Sequence, residues 1–576
     1  MTLLAILAAA LVQPLWPTDR IPDFQPRQIA AMKDVVLAGG FRPDEHRMPF
    51  VEWYDAPVSN RTDACMILIS GGGYMDCCNP DLVAEWHRDL NALGIRCVNL
   101  VYRTPRPVGI PFYQSAWEDG QRAVRLVRSQ AAKFGFDPEK IGVIGISAGA
   151  HLTTLLATGS QTPAYKPVDE LDKVPCHINW AITQAIAYGV TDGPNERNAR
   201  GGDAVDAKLT PVFPFDAKTC PMCLFHGGAD VYSPCASTQV YRQLRRMKIP
   251  AELHLMGDRP HVFSIHAKPG TAAATWFGRV AEFLRQMNFD GRLGKATERR
   301  IFTGAYTAKT EREALWKGHA VPPRAEAATN EAVITWYIPK ELKTRAIQII
   351  APGGGYWFCN ASGEGLPVAE YFNSKGMTAI VLEYRCPRPG GDLAKHTSAW
   401  QDAQRAIRMV RHEAKARGLD PRRIGLMGFS AGGHLTLMCA TSARRHAYLP
   451  VKGDPIDAES CALTWACPTY PAYALTDGID KPNAQGGNED DAVPVPEFSF
   501  DLDTPPMCFQ HGDSDGWAAM NSVKIWEKLR RMGIQGDLHT YATRGHCFQF
   551  YCADGTGSAT WLDRVWEFLT AKGLNR

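Results

Sequence analysis

One pattern of residues occurs twice in this chain at a nearly constant spacing, and this repeat limits the fold more than any other feature. Gly145-Ile146-Ser147-Ala148-Gly149 returns as Gly428-Phe429-Ser430-Ala431-Gly432, each time closing a short apolar run. Ser430 follows Ser147 by 283 positions, Gly353 follows Gly71 by 282, and Asp515 and His546 follow Asp230 and His261 by 285 each. Four separate features stay in step only if whole domains were duplicated in tandem. The period is far longer than the ~20 to 50 residues of solenoid units, so each copy is expected to bury its own core. A chain of 576 residues holds two such domains. We place them at 21–295 and 296–576, with the basic segment Asp290 to Arg300 as the linker.

Both copies run through the same elements. A strand at Val51 to Tyr54 or Val333 to Tyr337 precedes a second at Cys65 to Ser70 or Ile347 to Ala351, which leads into Gly71-Gly72-Gly73-Tyr74 or Gly353-Gly354-Gly355-Tyr356. A third strand ends in Tyr102-Arg103-Thr104-Pro105-Arg106-Pro107 or Tyr384-Arg385-Cys386-Pro387-Arg388-Pro389. Helices over Ala116 to Arg128 and Ala399 to Arg411 follow, with apolar residues at helical spacing. The strands Ile141 to Ile146 and Ile424 to Phe429 then feed the serine turns. Later strands are expected at Ile178 to Ala185, Met222 to Phe225 and Glu252 to Met256, and at Cys461 to Ala466, Met507 to Gln510 and Asp537 to Tyr541. Helices Trp276 to Met287 and Trp561 to Leu569 close the copies. Short apolar runs alternating with helices predict an α/β class with a mostly parallel sheet flanked by helices in each domain.

A serine hydroxyl is a poor nucleophile at neutral pH and needs a base within hydrogen-bond reach and a carboxylate to orient that base. In Gly-x-Ser-x-Gly the serine sits on a tight strand-to-helix turn flanked by small residues. Ser147 and Ser430 are the nucleophile candidates, and the chain order Ser, Asp, His points to Asp230 with His261 and Asp515 with His546. Asp513 competes with Asp515, but only Asp515 keeps the 285-residue offset. His226 and His511 are equally matched and read as loop supports. Backbone N–H groups of Gly72, Gly73 and Ala148, and of Gly354, Gly355 and Ala431, are the oxyanion-hole candidates. Neither a GxxxxGK[ST] nor a GxGxxG context accompanies the glycine loops, so phosphate or dinucleotide binding is the poorer reading. Tyr74, Tyr356 and Trp357 are candidates for stacking on a sugar or a phenolic acyl group, beside the alternative of packing.

The 63 basic and 60 acidic residues give a net charge of +3. No run of one sign supplies the basic footprint that nucleic-acid binding needs. The apolar stretch Leu3 to Val12 is too short to span a bilayer, so no integral membrane segment is expected. Residues 1–20 read instead as a candidate secretory signal with Ala8 and Ala10 at the cleavage site, or as a buried N-terminal segment. The 16 cysteines divide evenly between the copies, yet few are equivalent, which argues against a disulfide framework. Cys220-Pro-Met-Cys223 loses its first cysteine in the second copy, so no metal and no cofactor is expected.

The Gly-Gly-Gly-Tyr loop, the Tyr-Arg-x-Pro-Arg-Pro strand end, Gly-x-Ser-Ala-Gly, His-Gly-x-x-Asp and the late histidine together resemble the α/β-hydrolase superfamily. The pattern is similar to that of the hormone-sensitive-lipase-like esterases and, closer still, of bacterial acetyl xylan and feruloyl esterases. That resemblance implies a carboxylic ester hydrolase with a covalent acyl-enzyme. The expected substrate is an acylated plant or algal polysaccharide or a small ester, met by a secreted or periplasmic protein. A cytoplasmic small-ester hydrolase or peptidase, or one active copy beside a non-catalytic binding copy, are the alternatives. The first copy departs from the second in Ala150 for Gly433 and Pro260 for Gly545.

Overall fold

The computed structural model describes residues 11–17, 19–31, 49–77, 80–191, 207–264, 269–299, 301–319, 321–322, 328–390, 393–476 and 492–576. The chain divides into two compact units that part between Leu293 and Gly294, with the short stretch Lys268–Thr275 grouped with the second.

The first unit is built on eight strands: β1 (Leu11–Pro14), β2 (Phe50–Tyr54), β3 (Cys65–Ile69), β4 (Arg96–Val101), β5 (Ile141–Ile146), β6 (Trp180–Gln184), β7 (Met222–Gly227) and β8 (Ala251–Met256). Their order is β1-β2-β4-β3-β5-β6-β7-β8. The pairs β1/β2 and β2/β4 are antiparallel, and every pair from β4/β3 onward is parallel. Helices α1 (Pro80–Ala92), α2 (Gln114–Ser129), α3 (Ala148–Thr158) and α4 (Cys235–Arg246) lie in the connections between parallel strands, and α5 (Trp276–Gln286) follows β8. The inner strands are apolar on both faces because helices cover both; all five residues of β3 are buried.

The second unit repeats this plan. Its strands are β9 (Thr307–Ala314), β10 (Val333–Pro339), β11 (Ile347–Ala351), β12 (Thr378–Glu383), β13 (Ile424–Phe429), β14 (Trp465–Thr469), β15 (Cys508–Gly512) and β16 (Asp537–Tyr541). Their order is β9-β10-β12-β11-β13-β14-β15-β16, with antiparallel pairs again confined to the β9/β10/β12 end. Helices α6 (Leu366–Ser374), α7 (Thr397–Ala414), α8 (Ala431–Thr441), α9 (Met520–Arg531) and α10 (Gly557–Ala571) complete it. Each unit is an α/β-hydrolase domain.

Differences from the sequence-based expectations have local causes. The exposed edge strand β9, Thr-Ala-Lys-Thr-Glu-Arg-Glu-Ala, shows no apolar alternation. Strand β14 starts at Trp465 rather than Cys461, and Pro468 lies inside it opposite Gly428. Helix α10 begins at Gly557, one turn before the apolar residues that announce it. Thr297–Glu298, expected as linker, pairs with Tyr551–Cys552 of the second unit.

At the N-terminus the described residues begin inside the candidate leader. Residues 1–10 lie outside the described residues, but Leu11–Pro14 form β1, and Leu15 and Trp16 are buried. Trp16 donates its indole N–H to Asp119 at 2.7 Å, and Arg122 reaches the carbonyl of Leu15 at 2.8 Å. Cleavage after Ala10 leaves these contacts whole, whereas a leader ending at residue 20 would carry them away. Among the described residues no helix is long and apolar enough to cross a membrane.

Candidate active site

Both serines stand where a buried parallel strand stops. Ser147 follows β5 and Ser430 follows β13, with φ/ψ of 57°/−119° and 53°/−115°, and a helix starts at the next residue. Positive φ in a non-glycine residue costs of order 1–3 kcal/mol and persists only where neighbours enforce it. Here the Ser147 N–H donates to Gln184 O at 2.9 Å and the Ser430 N–H to Thr469 O at 3.1 Å. The turn also drives the helix against the sheet. A Cβ on Gly149 would come within 2.4 Å of Ile69 O, and one on Gly432 within 2.0 Å of Ala351 O.

A hydrogen-bond chain leads away from each serine. Ser147 Oγ donates to His261 Nε2 at 2.9 Å, and His261 Nδ1 donates to Asp230 Oδ2 at 2.8 Å. In the second unit Ser430 Oγ donates to His546 Nε2 at 2.8 Å, and His546 Nδ1 lies 2.8 Å and 3.0 Å from the two oxygens of Asp515. Asp515 therefore occupies the place of Asp230, and Asp513 does not. The structure brings together all six residues singled out as nucleophile, base and acid candidates.

Each aspartate is held on its other side as well. Tyr232 N–H donates to Asp230 Oδ1 and Trp517 N–H to Asp515 Oδ1, both at 2.8 Å. His226 and His511 take a hydrogen bond at Nδ1 from Ser237 and Ser522 and donate from Nε2 to Tyr232 O and Trp517 O. Their Nε2 atoms also lie 3.3 Å from the aspartates. They support the acid loop rather than meet the serine. Burial pushes the Asp230 and Asp515 carboxyls up, but the histidine hydrogen bonds and charges outweigh it and hold both well below the usual carboxylate range.

The glycine loops pass directly beside the serines. A Cβ on Gly71 would meet Ser147 Cβ at 3.1 Å, and one on Gly353 would meet Ser430 Cβ at 3.0 Å. Gly72 and Gly354 have φ of +118° and +128°, and a Cβ there would fall 2.0 Å from Asp76 Oδ1 and 2.1 Å from Phe358 O. Only glycine makes this turn. Gly73 and Gly355 continue it with φ of 62° and 63°. Ala148 and Ala431 are the first residues of their helices, where the backbone N–H has no partner within the helix. The candidate donors thus lie within two residues of positions that adjoin the nucleophiles in chain or in space.

The tyrosines of these loops are not open stacking surfaces. Tyr74 and Tyr356 are each 1% exposed, and their hydroxyls are tied to Nδ1 of His151 and His434 at 2.8 Å. Positive φ at both residues, 62° and 65°, turns the ring inward. Trp357 differs: it is 57% exposed, with the Arg388 guanidinium 4.1 Å from its ring centroid. In the first copy the equivalent Arg106 instead donates to Gly73 O at 2.8 Å and to the Tyr188 hydroxyl at 2.5 Å. His151 and His434, matched at 283 residues, and Tyr188 and Tyr473, matched at 285, are site residues that the sequence reading passed over, although their offsets repeat those of the serines and histidines.

One group of metal-ligand type occurs among the described residues. The donor atoms of Cys223, Glu252 and His254 lie within 4.8 Å of one another, all buried. His254 Nε2 contacts Glu252 at 3.1 Å, and burial, then the charges of Glu252 and Glu282, push the Cys223 thiol far up against the opposing charge of Arg279. Cys223 lies near the opposite end of β7 from Asp230, so it takes no part in the serine site.

Several known proteins resemble parts of this chain. An acetylxylan esterase of Xylanibacter ruminicola is 27% identical over 229 residues, 38% of this chain and 44% of the relative. An endo-1,4-beta-xylanase B of Butyrivibrio fibrisolvens is 35% identical over 200 residues, 32% of this chain and 30% of the relative. The chain thus spans less than half the length of these curated relatives. Among solved structures, an acetyl ester-xyloside bifunctional hydrolase from Caldicellulosiruptor lactoaceticus is 26% identical, covers 48% of this chain and 100% of its own, and gives a TM-score of 0.38. The BD-FAE family model matches residues 52–244 and 334–464, which lie in the two copies and together exceed half of the sequence. The chain belongs to the BD-FAE family.

Proposed function

We propose that the protein is a serine carboxylic ester hydrolase with two working sites, Ser147–His261–Asp230 and Ser430–His546–Asp515. The observation that carries this reading is the unbroken chain from strained serine to histidine Nε2, and from Nδ1 to a buried aspartate, present in both copies. The histidine takes the serine proton as Oγ attacks the ester carbonyl. The aspartate fixes the Nδ1–H tautomer and stabilises the imidazolium. The oxyanion is met by N–H groups of Gly72, Gly73 and Ala148, or of Gly354, Gly355 and Ala431. The protonated histidine then gives its proton to the leaving alcohol, and water, activated by the same histidine, releases the acid from the acyl-enzyme.

The substrate we propose is an acetylated or feruloylated plant or algal polysaccharide, handled by a secreted or periplasmic protein. The names of the relatives, an acetylxylan esterase and a xylanase, support this class, as does the exposed Trp357 beside the second glycine loop. The test is hydrolysis of p-nitrophenyl acetate, acetylated xylan and methyl ferulate by the wild type, Ser147→Ala, Ser430→Ala and the double variant. Partial activity in each single variant and none in the double is the expected result. Full activity in the double variant overturns the nucleophile assignment, and hydrolysis of the small esters with no acyl group released from the polysaccharide overturns the polymer.

A further inference from the structure

The second site contains a buried carboxylate that the triad does not use. Between the glycine loop and the sequence Ala-Glu (Ala84-Glu85, Ala369-Glu370) the second copy is three residues longer than the first. This longer segment forms a π-helical turn, Ala361–Gly365, that carries Glu364. Such turns recur at functional sites. Glu364 is 2% exposed. Its Oε2 accepts from the Gly353 N–H at 2.6 Å, and its Oε1 accepts from the Tyr470 hydroxyl at 2.7 Å. The Tyr470 ring stands edge-on to the His546 imidazole with 4.8 Å between centroids. Gln549 Nε2 donates to the same Tyr470 oxygen, and Cys547 Sγ lies 3.9 Å from Glu364. One carboxylate therefore ties the start of the glycine loop to the face of the catalytic-base candidate.

The first copy provides an internal comparison. Ser147 N–H donates to Gln184 O and Ala185 N–H to Phe225 O, just as Ser430 N–H donates to Thr469 O and Tyr470 N–H to Gln510 O. Ala185 thus stands where Tyr470 stands, and Ser264 and Val262 where Gln549 and Cys547 stand. An alanine carries no hydroxyl to join the two loops.

We propose that Glu364, acting through Gly353 and Tyr470, is a positioning residue of the second site alone, holding the oxyanion loop and His546 in register for the transition state. The proposal rests on the esterase reading above. An interaction that aligns groups only as the reaction proceeds lowers kcat when lost and leaves KM in place. Glu364 is held by geometry rather than by exposure: burial raises its pKa, against the smaller lowering by its hydrogen bonds from Tyr470 and the Gly353 N–H.

The experiment uses the full chain carrying Ser147→Ala, so that only Ser430 turns over, with intact sites counted by titration with a p-nitrophenyl phosphonate. Glu364→Gln and Glu364→Ala are expected to lower kcat per titrated site tenfold or more with KM within twofold. Tyr470→Phe, which keeps the ring but not the hydroxyl, is expected to lower kcat less, with KM likewise within twofold. Unchanged kcat per titrated site in Glu364→Gln, with only a lower Tm or fewer titrated sites, assigns Glu364 to folding and overturns the proposal alone. If the Ser147→Ala background shows no turnover that Ser430→Ala removes, the esterase reading falls and the proposal with it.

Discussion

Asp230 accepts from His261 Nδ1 on one oxygen and from the Tyr232 N–H on the other, both at 2.8 Å, so the carboxylate can turn neither oxygen elsewhere. Asp515 is held in the same way by His546 and Trp517. Asp230→Asn and Asp515→Asn keep the shape but present an amide N–H to one of these donors. The imidazole is then drawn into the tautomer that cannot accept the serine proton. Loss of about 10⁴ in kcat at the affected site is expected, as in other triads. Each variant is measured in a chain whose other serine is alanine; a loss under tenfold contradicts the assigned role.

Gly72 and Gly354 should tolerate no side chain. Each has a φ that L residues rarely adopt, and each has a backbone or side-chain oxygen about where a Cβ would lie. Gly354→Ala must shift the loop by an ångström or more, which moves the Gly354 and Gly355 N–H groups away from Ser430. Losing one such donor costs about 3 to 4 kcal/mol in the barrier, a factor of 10² to 10³ in kcat. Phosphonate titration separates this outcome from misfolding. Near-normal kcat would remove the glycine loop from the oxyanion hole.

The duplication, the sheet class and the three residues of each candidate triad were legible because they depend on short motifs in fixed order. Ser147 needs Gly145 and Gly149 beside it, and those glycines are visible in the sequence. Tyr74 and Tyr356 misled because their direction is set by a positive φ that no side-chain pattern reveals. Glu364 was invisible for a related reason: it is aimed at Gly353 by a π-helical turn that no side-chain pattern announces, in a segment three residues longer than its first-copy counterpart. The edge strand β1 was hidden inside a stretch that reads equally well as a leader.

Trp16 and Trp316 are expected to be equivalent structural residues. Each donates its indole N–H to a buried aspartate, Asp119 at 2.7 Å and Asp402 at 2.8 Å, which also binds Arg103 or Arg385. Replacement by phenylalanine removes that donor and part of the ring that packs near Arg122 or Arg405. A loss of about 1–3 kcal/mol is expected from the undersatisfied carboxylate. Urea unfolding of Trp16→Phe and Trp316→Phe checks it. Unchanged stability in Trp16→Phe would mean that the N-terminal segment contributes nothing to the first domain.

Acid should weaken the second domain earlier than the first, and His396 is the reason. Burial, helped by the charge of Arg445, brings its pKa down to about 4, while burial and then His396 itself push His434 well below its ordinary value. In the first domain burial alone brings His151 to about 3, and the position of His396 is taken by Tyr113, which likewise precedes its helix. A histidine whose folded pKa lies below its unfolded value of about 6.5 supports the fold fully above pH 6.5. That support is lost as pH falls from 6.5 toward the folded value, because only the unfolded chain takes up the proton freely. For His396 the loss by pH 4 is on the order of 3 kcal/mol, from about 2.5 pKa units at ~1.4 kcal/mol each. Calorimetry of wild type and His396→Tyr at pH 7, 5.5 and 4 reads this directly. The variant should show a smaller fall in Tm over that range, and an equal fall in both proteins would clear His396 of any part in acid lability.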